Sequence, residues 1–287
     1  MPVRIDHVII AGPDLDALEE RFTRLGFFVT GGGIHPHLGT RNRIIVLDES
    51  YIELLAPADI GRTSPALQQF IFSGASKGGW VGYALQSDDI DAETSAMRER
   101  GVDVRGPTPG RLQAKDGSSR SWRVTMLGSD DLWEAANALP FLIQHDTTGE
   151  PHCLELGGAG GLAAHPNGAS RIDAVRIDAK DAGALAGRYR AVYGIPGQQE
   201  TQPDNSSWRL NLASGEYITI QALPSTQESL LKPGQDTRMS VRVHVEDLSA
   251  IEALHWHSTV VSTLVERTLL VRIPDLDAEI ECTGPGR

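Results

Sequence analysis

Residues 4–28 read RIDHVIIAGPDLDALEERFTRLGFF, and residues 171–195 read RIDAVRIDAKDAGALAGRYRAVYGI. The opening Arg-Ile-Asp recurs at a constant offset, and so do three apolar residues spaced i, i+4 and i+7: Leu18, Phe22 and Leu25 coincide with Leu185, Tyr189 and Val192. This pattern predicts a strand followed by an amphipathic helix in both places. Asp14 is the predicted N-cap of the first helix, and Gly26 is its predicted stop.

Two further segments have the same design. Residues 79–104 read as a strand, an acidic cap and a helix that ends at a glycine, and residues 238–257 read as a strand, an Asp and a helix. Short apolar runs follow each helix, such as NRIIVLD and SYIELLAP in the first unit. Self-similarity of this kind predicts a repeat architecture. The predicted fold is α+β with four βαβββ modules, at residues 4–57, 79–146, 171–224 and 238–284.

The length and the boundary signals predict two halves. A chain of 287 residues is long enough for one large or two small domains, at roughly 100–200 residues each. The segment 151–170, PHCLELGGAGGLAAHPNGAS, is rich in Gly and Ala and is the predicted connection. The predicted domains are therefore residues 1–150, with the first two modules, and residues 171–287, with the last two.

Composition excludes several classes of function. The net charge is −12 and aromatic residues are only 6% of the chain, which disfavours a nucleic-acid partner, since such proteins need clustered Lys and Arg. No apolar run reaches the roughly 18 residues of a membrane span. The two cysteines have no metal-finger spacing and are compatible with a reducing compartment. We therefore predict a cytoplasmic protein with a small-molecule partner; a homodimer is compatible with the sequence.

The modules carry a family resemblance. The segments IDHVIIAGPDLD (5–16), HPHLGTRNR (35–43), YIELLAP (51–57) and LPFLIQ (139–144) resemble the glyoxalase-like group of the vicinal oxygen chelate superfamily. That superfamily includes glyoxalases, extradiol dioxygenases, epimerases and antibiotic-resistance proteins. The resemblance implies that modules pair into two cup-shaped mixed sheets, as in glyoxalase and bleomycin-resistance proteins. It also implies that the concave face of a cup holds the site.

The resemblance implies metal ligands on the first and last strands of each module. In the first module these positions hold His7 and Glu53, and a carboxylate between apolar neighbours is costly to bury without a partner. His7 and Glu53 are thus the predicted catalytic pair and the first two predicted metal ligands, with Glu53 as general base. Two plainer interpretations stay open: His7 as a buried, satisfied histidine, or the two residues paired with each other.

The other modules do not complete this ligand set. Gly82 aligns with His7 in the second module, and the last strand of that module offers His145 as the third candidate ligand. In the fourth module Glu281 takes the place of Glu53, but no histidine accompanies it. The incomplete set disfavours a true glyoxalase or a ring-cleaving dioxygenase, which needs two histidines and one carboxylate. The cofactor is either a divalent metal (zinc, manganese, iron or nickel) or none.

Four residues are predicted to bind substrate at the rim of the first cup. His35 and Asn42 belong to IHPHLGTRN, which leads into the second apolar run of the first module, and His35 is held extended by the proline after it. Arg111 and Trp122 could frame the open end, although a hairpin turn with a packed Trp is the interpretation that the pattern slightly favours. His37 is predicted to face solvent.

Two functions remain open. The first is an enzyme that abstracts a proton from a small carbonyl or vicinal-oxygen metabolite, as a lyase or isomerase does, in the N-terminal cup. The second is a protein without catalysis that binds and sequesters a small molecule, as the resistance proteins of the superfamily do. A purely structural role is a third interpretation. Metal content and ligand turnover separate the first two.

Overall fold

The computed structural model describes residues 4–73, 77–114, 117, 119–128, 133, 138–202, 205–232, 234–249, 261–265, 268–273 and 276–284. The fold is α+β and contains the predicted four modules, paired into two mixed sheets. The prediction of the fold class is confirmed. Among the described residues, no helix has the length and apolar character needed to cross a bilayer.

The first sheet is formed by the first two modules and closes into a barrel. Its eight strands are β1 (Arg4–Ala11), β2 (Gly33–His35), β3 (Thr40–Leu47), β4 (Ser50–Pro57), β5 (Gly79–Gln86), β6 (Val104–Ala114), β7 (Ser119–Leu127) and β8 (Phe141–His145). Their order around the barrel is β1-β4-β3-β2-β6-β7-β8-β5. The cup expected from the resemblance is therefore a fully closed one.

Two seams join the modules of the barrel. At one, β1 pairs antiparallel with β5 over most of its length. At the other, the three-residue strand β2 pairs with the end of β6, with Gly33 opposite Ala114 and Ile34 opposite Gln113. The segment IHPHLGTRN, which contains part of β2 and leads into β3, thus completes the barrel.

The second sheet is formed by the last two modules and is open. Its strands are β9 (Ala169–Ala179), β10 (Gln198–Gln202), β11 (Asn205–Asn211), β12 (Tyr217–Ala222), β13 (Thr237–Val245), β14 (Val261–Val265), β15 (Thr268–Ile273) and β16 (Ala278–Thr283). They lie in the order β10-β11-β12-β9-β13-β16-β15-β14. The two modules meet at β9 and β13, and β10 and β14 are its edges among the described strands.

Five α-helices are described: α1 (Leu15–Arg24), α2 (Pro65–Phe72), α3 (Ile90–Glu99), α4 (Gly149–Gly157) and α5 (Ala182–Tyr193). Asp14 caps α1 through its side chain, and Gly26 follows the helix with a φ of 76°, so both predicted ends are confirmed. Residues 250–260, which contain most of the helix predicted for the fourth module, lie outside the described residues.

The two faces of the barrel belong to different apolar clusters. Ile5, Val8 and Ile10 of β1 pack outside the barrel in a large cluster that also contains buried residues of α1, α5 and the second sheet. Ile9 and Ala11 belong to an inner cluster, together with residues of β4, α2 and β8. Strand β1 therefore alternates between the two, as a strand buried on both faces does.

The segment between the two halves contains regular structure. Helix α4 and a 3-10 helix (Gly158–Leu162) occupy much of the predicted connection 151–170. Cys153 and Leu156 of α4 pack on Ile44, Val46 and Tyr51 of the barrel. The outer apolar cluster runs from the barrel into the second sheet without interruption. The division at residues 150 and 171 stays a prediction.

Candidate functional site

A cavity of about 370 Å³ lies within the barrel. This volume is in the range of small-ligand sites, which begins at roughly 300 Å³. Much of its wall is apolar: Ile9, Ile44, Leu55, Val124, Phe141 and Ile143. All the residues predicted for the site line it: His7, His35, Asn42, Glu53, Arg111, Trp122 and His145. The structure thus brings them together, while their individual roles stay predictions.

Glu53 is the central carboxylate of the cavity. It lies on β4 and is only 7% exposed. Its Oε1 accepts a hydrogen bond of 2.6 Å from the side-chain amide of Asn42 on β3. The amide oxygen of Asn42 accepts in turn from the backbone N–H of Gly33, at 2.8 Å. Because both ends of the Asn42 amide are engaged, the orientation of the Glu53 carboxylate is fixed.

Two imidazoles face this carboxylate. Nε2 of His7 lies 3.8 Å from Oε2 of Glu53, and Nε2 of His35 lies 3.8 Å from Oε1. Both distances exceed a normal hydrogen bond. The Nδ1 atom of His35 lies 3.0 Å from the hydroxyl of Thr40. Burial lowers the pKa of His35, so its ring is neutral near pH 7.

A β-bulge places two consecutive polar side chains at the site. The pairing of β1 with β5 jumps from Ile5–Leu85 to His7–Ala84, so Asp6 has no partner across the seam. A bulge re-aims the side chains around the extra residue. Asp6 is fully buried, and its Oδ1 lies 2.5 Å from Nδ1 of His7. The His7 ring is thereby held with its Nε2 towards Glu53.

Asp6 also contacts a second group of histidines. Nε2 of His145, on β8, lies 3.2 Å from both oxygens of Asp6. The ring of His152, on α4, lies 4.3 Å from the ring of His145. Asp6, His145 and His152 each offer an atom that ligates metals, and these atoms lie within 4.8 Å of one another.

The pKa values of Asp6 and His152 are both lowered, but for different reasons. Burial alone would raise the pKa of Asp6, but the charges of His145 and His7 and their hydrogen bonds hold it well below its usual range. Burial, and then the neighbouring charge of His145, lowers the pKa of His152 to about 4. Asp6 is therefore a carboxylate and His152 a neutral imidazole at pH 7.

Trp122 and Arg111 lie where the two long strands β6 and β7 form the wall. The ring of Trp122 lies 6.2 Å from that of His35 and 6.3 Å from that of His145. The indole packs against the backbone of Gly110, where a Cβ would lie 2.1 Å from its Nε1, so only glycine fits there. Arg111 is exposed and donates to Ser119 at 3.2 Å.

Two residues of the cavity region were missed by sequence reasoning. Asp6 directly precedes His7, and regular alternation would have directed it to the opposite face of β1. His152 lies in the segment predicted as a connection, where no strand pattern marked it. The one signal available in the sequence was the residue type of position 152, since histidine is a common metal ligand. His37 is exposed as predicted, although it lies at the cavity rim.

The second sheet holds the counterpart of Glu53 in a different setting. Glu281 on β16 is 1% exposed. Its Oε1 accepts from Arg176 at 2.9 Å, and its Oε2 accepts from Arg242 at 2.6 and 2.9 Å. Arg242 also donates to the hydroxyl of Tyr217. This carboxylate is neutralised by two guanidinium groups.

The comparison with family models decides the affiliation. The model of the glyoxalase-like domain matches residues 5–193, which is more than half of the chain. The chain belongs to the glyoxalase-like domain family. The predicted membership in the vicinal oxygen chelate superfamily is confirmed with it. No curated protein is significantly similar to this glyoxalase-like protein in sequence.

Several solved structures are similar to this glyoxalase-like chain. A hypothetical protein from Staphylococcus aureus has a TM-score of 0.66 at 17% identity, with 98% of this chain and 99% of that chain covered. A mutant of 4-hydroxymandelate synthase from Streptomyces coelicolor has a TM-score of 0.62 at 11% identity, with 100% and 94% covered. These likenesses show the fold.

A shorter likeness covers about half of the chain. Methylmalonyl-CoA epimerase from Streptomyces coelicolor, in complex with 2-nitronate-propionyl-CoA, is 26% identical over 51% of this chain and 100% of that chain, with a TM-score of 0.39.

Proposed function

We propose that the N-terminal barrel binds a small carbonyl or vicinal-oxygen metabolite and catalyses proton abstraction from it, with Glu53 as the base. One observation carries this proposal: a buried carboxylate lines a ligand-sized cavity, is oriented by Asn42, and has an imidazole nitrogen 3.8 Å from each of its oxygens. A base held in one orientation at the wall of a largely apolar cavity suits proton transfer from carbon.

The proposed step is the removal of a proton from the carbon next to a carbonyl. The C–H bond breaks, its proton passes to Oε2 of Glu53, and its electron pair forms a C=C bond while the carbonyl oxygen takes the negative charge. In an α-hydroxy carbonyl substrate, return of the proton to the former carbonyl carbon gives an isomerase, because the hydroxyl gives its own proton to the enolate oxygen and becomes the new carbonyl. Loss of a leaving group, with its bonding pair, from the β-carbon gives a lyase, because the enolate re-forms the carbonyl and its C=C electrons form the Cα=Cβ bond.

His7 and His35 have complementary roles in this proposal. In this proposal the Thr40 hydroxyl, 3.0 Å from Nδ1 of the neutral His35 ring, donates to that nitrogen, which places the N–H of the ring on Nε2. That N–H would donate to the carbonyl oxygen on which charge develops. Asp6 accepts from Nδ1–H of His7 in this proposal, so Nε2, when it carries no proton, can accept one from an adjacent substrate hydroxyl. A substrate with two vicinal oxygens would use both rings.

The metal predicted from the resemblance would be held by His7, Glu53 and His145. Imidazole nitrogens and carboxylate oxygens suit zinc, manganese, iron and nickel, and such an ion would polarise a substrate carbonyl. Nε2 of His7 and Oε2 of Glu53 face each other, whereas His145 lies beside Asp6 and His152. The set stays a prediction, with two of its three members facing each other.

Exchange of carbon-bound hydrogen tests the proposal. The protein would be incubated in D₂O with α-hydroxy ketones, α-keto acids and 1,3-dicarbonyl thioesters, and the loss of the α-proton signal followed by NMR. We expect at least one class to exchange faster with the protein than without it. Retention of that rate in Glu53→Gln would contradict the proposal, because the amide cannot accept the proton. His37→Gln is the matched control for a change at the rim.

Sequestration is the second candidate function, and the apolar walls of the cavity favour it. Ligands that bind such walls would raise the melting temperature without exchanging a proton. The two functions are separated by the same Glu53→Gln variant. Equal thermal shifts for wild type and variant, with no exchange in either, would support sequestration.

A further inference from the structure

The group formed by Asp6, His145 and His152 brings together three elements that are distant in sequence. Asp6 comes from the bulge of β1, His145 from the end of β8, and His152 from the first turns of α4. His145 and His152 both line the cavity, and Asp6 lies directly behind them. The helix that supplies His152 is fixed to the barrel by Cys153 and Leu156. Such a convergence on a cavity wall requires an explanation.

Hydrogen bonds from the described residues leave two atoms of this group unpaired. Within that part of the chain, Oδ2 of the fully buried Asp6 accepts no hydrogen bond, although Nε2 of His145 lies 3.2 Å from it, and the buried Nε2 of His152 has no hydrogen-bond partner. Buried polar atoms are nearly always paired, and each exception needs a physical cause. These two atoms come from different elements of the fold, and both residues contact His145. An ion that accepts electron pairs from both would satisfy them.

The distances fit a single ion. Nε2 of His145 lies 3.2 Å from Oδ2 of Asp6. Two ligands bound at about 2.0–2.2 Å to one ion, at tetrahedral or octahedral angles, are separated by roughly 3.0–3.5 Å. The three ligand atoms lie within 4.8 Å of one another. The separation involving His152 would have to shorten for one ion to bind all three atoms.

We propose that Asp6, His145 and His152 hold one divalent transition-metal ion of the zinc and iron class. Two imidazoles and one carboxylate are donors that such ions accept, and three protein ligands leave further positions open. His145 and His152 line the cavity, so an oxygen of a bound molecule could complete the coordination. The site differs from the one implied by the resemblance, because neither Asp6 nor His152 belongs to that set.

A simple ion pair between Asp6 and His145 explains less. It uses Asp6 and His145 but leaves Nε2 of His152 without a hydrogen-bond partner among the described residues, with the His152 ring 4.3 Å from another imidazole. Two adjacent imidazoles oppose each other's protonation, and His145 is among the causes that lower the pKa of His152. Metal binding, in contrast, uses the free electron pair of each ring.

His7 acts as a support for the proposed ion. Its Nδ1 lies 2.5 Å from Oδ1 of Asp6, so the Oδ2 atom remains available for the ion. A hydrogen bond to the second oxygen orients a ligating carboxylate. The inference is independent of the reaction proposed for Glu53, since it rests on the unsatisfied atoms and their spacing alone.

Metal titration of the whole chain tests the proposal. Protein treated with EDTA and desalted would be titrated with Co²⁺, followed by its visible absorption, and with Zn²⁺ in competition with a chromophoric chelator. We expect one ion per chain. We also expect at least about a tenfold loss of affinity in His152→Gln and in Asp6→Asn, the range typical of altered metal shells. Glu53→Gln and the rim control His37→Gln should bind as the wild type does.

Three results would overturn the proposal: no binding by the wild type, unchanged affinity in His152→Gln, or loss of affinity in Glu53→Gln alone. The last would place the ion at the His7–Glu53 pair. Should Asp6→Asn fail to fold, a measurement on the wild type replaces it. Zn²⁺ should protect His145 and His152 from diethyl pyrocarbonate, mapped by mass spectrometry, while His37 stays reactive; equal labelling with and without Zn²⁺ contradicts the site.

Discussion

Glu53 and Glu281 occupy the same position in the last strands of their modules, and their surroundings differ. Glu53 lines a cavity, accepts one hydrogen bond from Asn42, and faces two imidazoles at 3.8 Å. Glu281 accepts hydrogen bonds from two arginines at 2.6–2.9 Å. The same carboxylate is available for chemistry in one half and is committed to a salt-bridge network in the other.

A single position of the module accounts for much of this difference. In the barrel, the residue of the first strand that pairs with Glu53 is Ile9. In the second sheet, the residue that pairs with Glu281 is Arg242. Arg176 holds the matching position on the first strand of the third module. An apolar residue leaves the glutamate facing an open cavity, whereas arginine fills the space and neutralises it.

The largest expected effect concerns activity in the barrel. Glu53→Gln keeps a side-chain oxygen that can accept from Asn42, so stability should change little. Removal of a general base typically slows the reaction by about 10²–10⁴-fold. We expect a loss of that size in the hydrogen exchange of any active substrate, measured by NMR, with an unchanged melting temperature. Glu281→Gln should leave the exchange rate as it is.

The next effect concerns stability in the second sheet. Glu281→Gln removes the negative charge that two partly buried arginines share, and we expect the free energy of unfolding to fall by about 2–3 kcal/mol, because their charges lose a buried partner. Urea denaturation measures this. The matched control is Glu279→Gln on the same strand, whose partner Arg272 has a 64% exposed side chain. Its effect should stay below about 1 kcal/mol; equal effects would contradict the network.

A smaller effect is expected at Asn42, which links the Glu53 carboxylate to the backbone of Gly33 at the β2–β6 seam. Asn42→Ala removes the bonds to Glu53 and to the Gly33 backbone, which leaves two buried groups without this partner. We expect about 1–3 kcal/mol of destabilisation in urea and roughly a tenfold slower hydrogen exchange. Asn211→Ala on the exposed face of the second sheet is the control and should change neither quantity.

The smallest effect belongs to the segment between the two halves. Nδ1 of His165 accepts from the Phe28 N–H at 2.9 Å, and Nε2 donates to the Val46 carbonyl at 2.7 Å. Burial lowers the pKa of His165 below its value in the unfolded chain, near 6.5. Below about pH 6.5 the unfolded state therefore binds more protons than the folded state. The free energy of unfolding decreases as the pH is lowered, until the pH is below the pKa of the folded state.

Urea midpoints measured between pH 7.5 and 5 test this linkage. His35 and His152 have lowered pKa values too, so they add a slope of the same sign. His165→Gln should reduce the dependence of the urea midpoint on pH only in part. The change that it causes in the free energy of unfolding should be smaller than the change expected for Asn42→Ala. The exposed control His37→Gln should retain the full slope. A slope unchanged in His165→Gln would contradict the assigned role.

The fold and much of the cavity could be predicted because they depend on periodic patterns. The repeated strand–helix units predicted the four modules, and Asp14 predicted the start of α1. His7, Glu53 and His145 lie at repeat positions, so their shared cavity followed from the pairing of modules. Patterns of period 2 and 3.6 survive in sequence because they reflect which face is buried.

The remainder depends on local departures from those patterns. Strand β2 has only three residues, too few for a period, so closure of the barrel was not predicted. The arginines that hold Glu281 come from strands β9 and β13, and only the observed pairing shows that they reach it. His152 became part of the cavity because α4 packs on the barrel, which Gly/Ala content did not indicate.

The bulge at Asp6 changes the phase of β1. Ile5 and Val8 both face the outer apolar cluster, although an uninterrupted strand would direct residues three apart to opposite faces. If Asp6 were deleted, Ile5 and His7 would be neighbours and would point to opposite faces in regular alternation. Every apolar residue of β1 would keep its present side. Asp6 is thus equivalent to a one-residue insertion that the sheet absorbs. The carboxylate at the back of the cavity can be gained or lost by one codon while the barrel keeps its core.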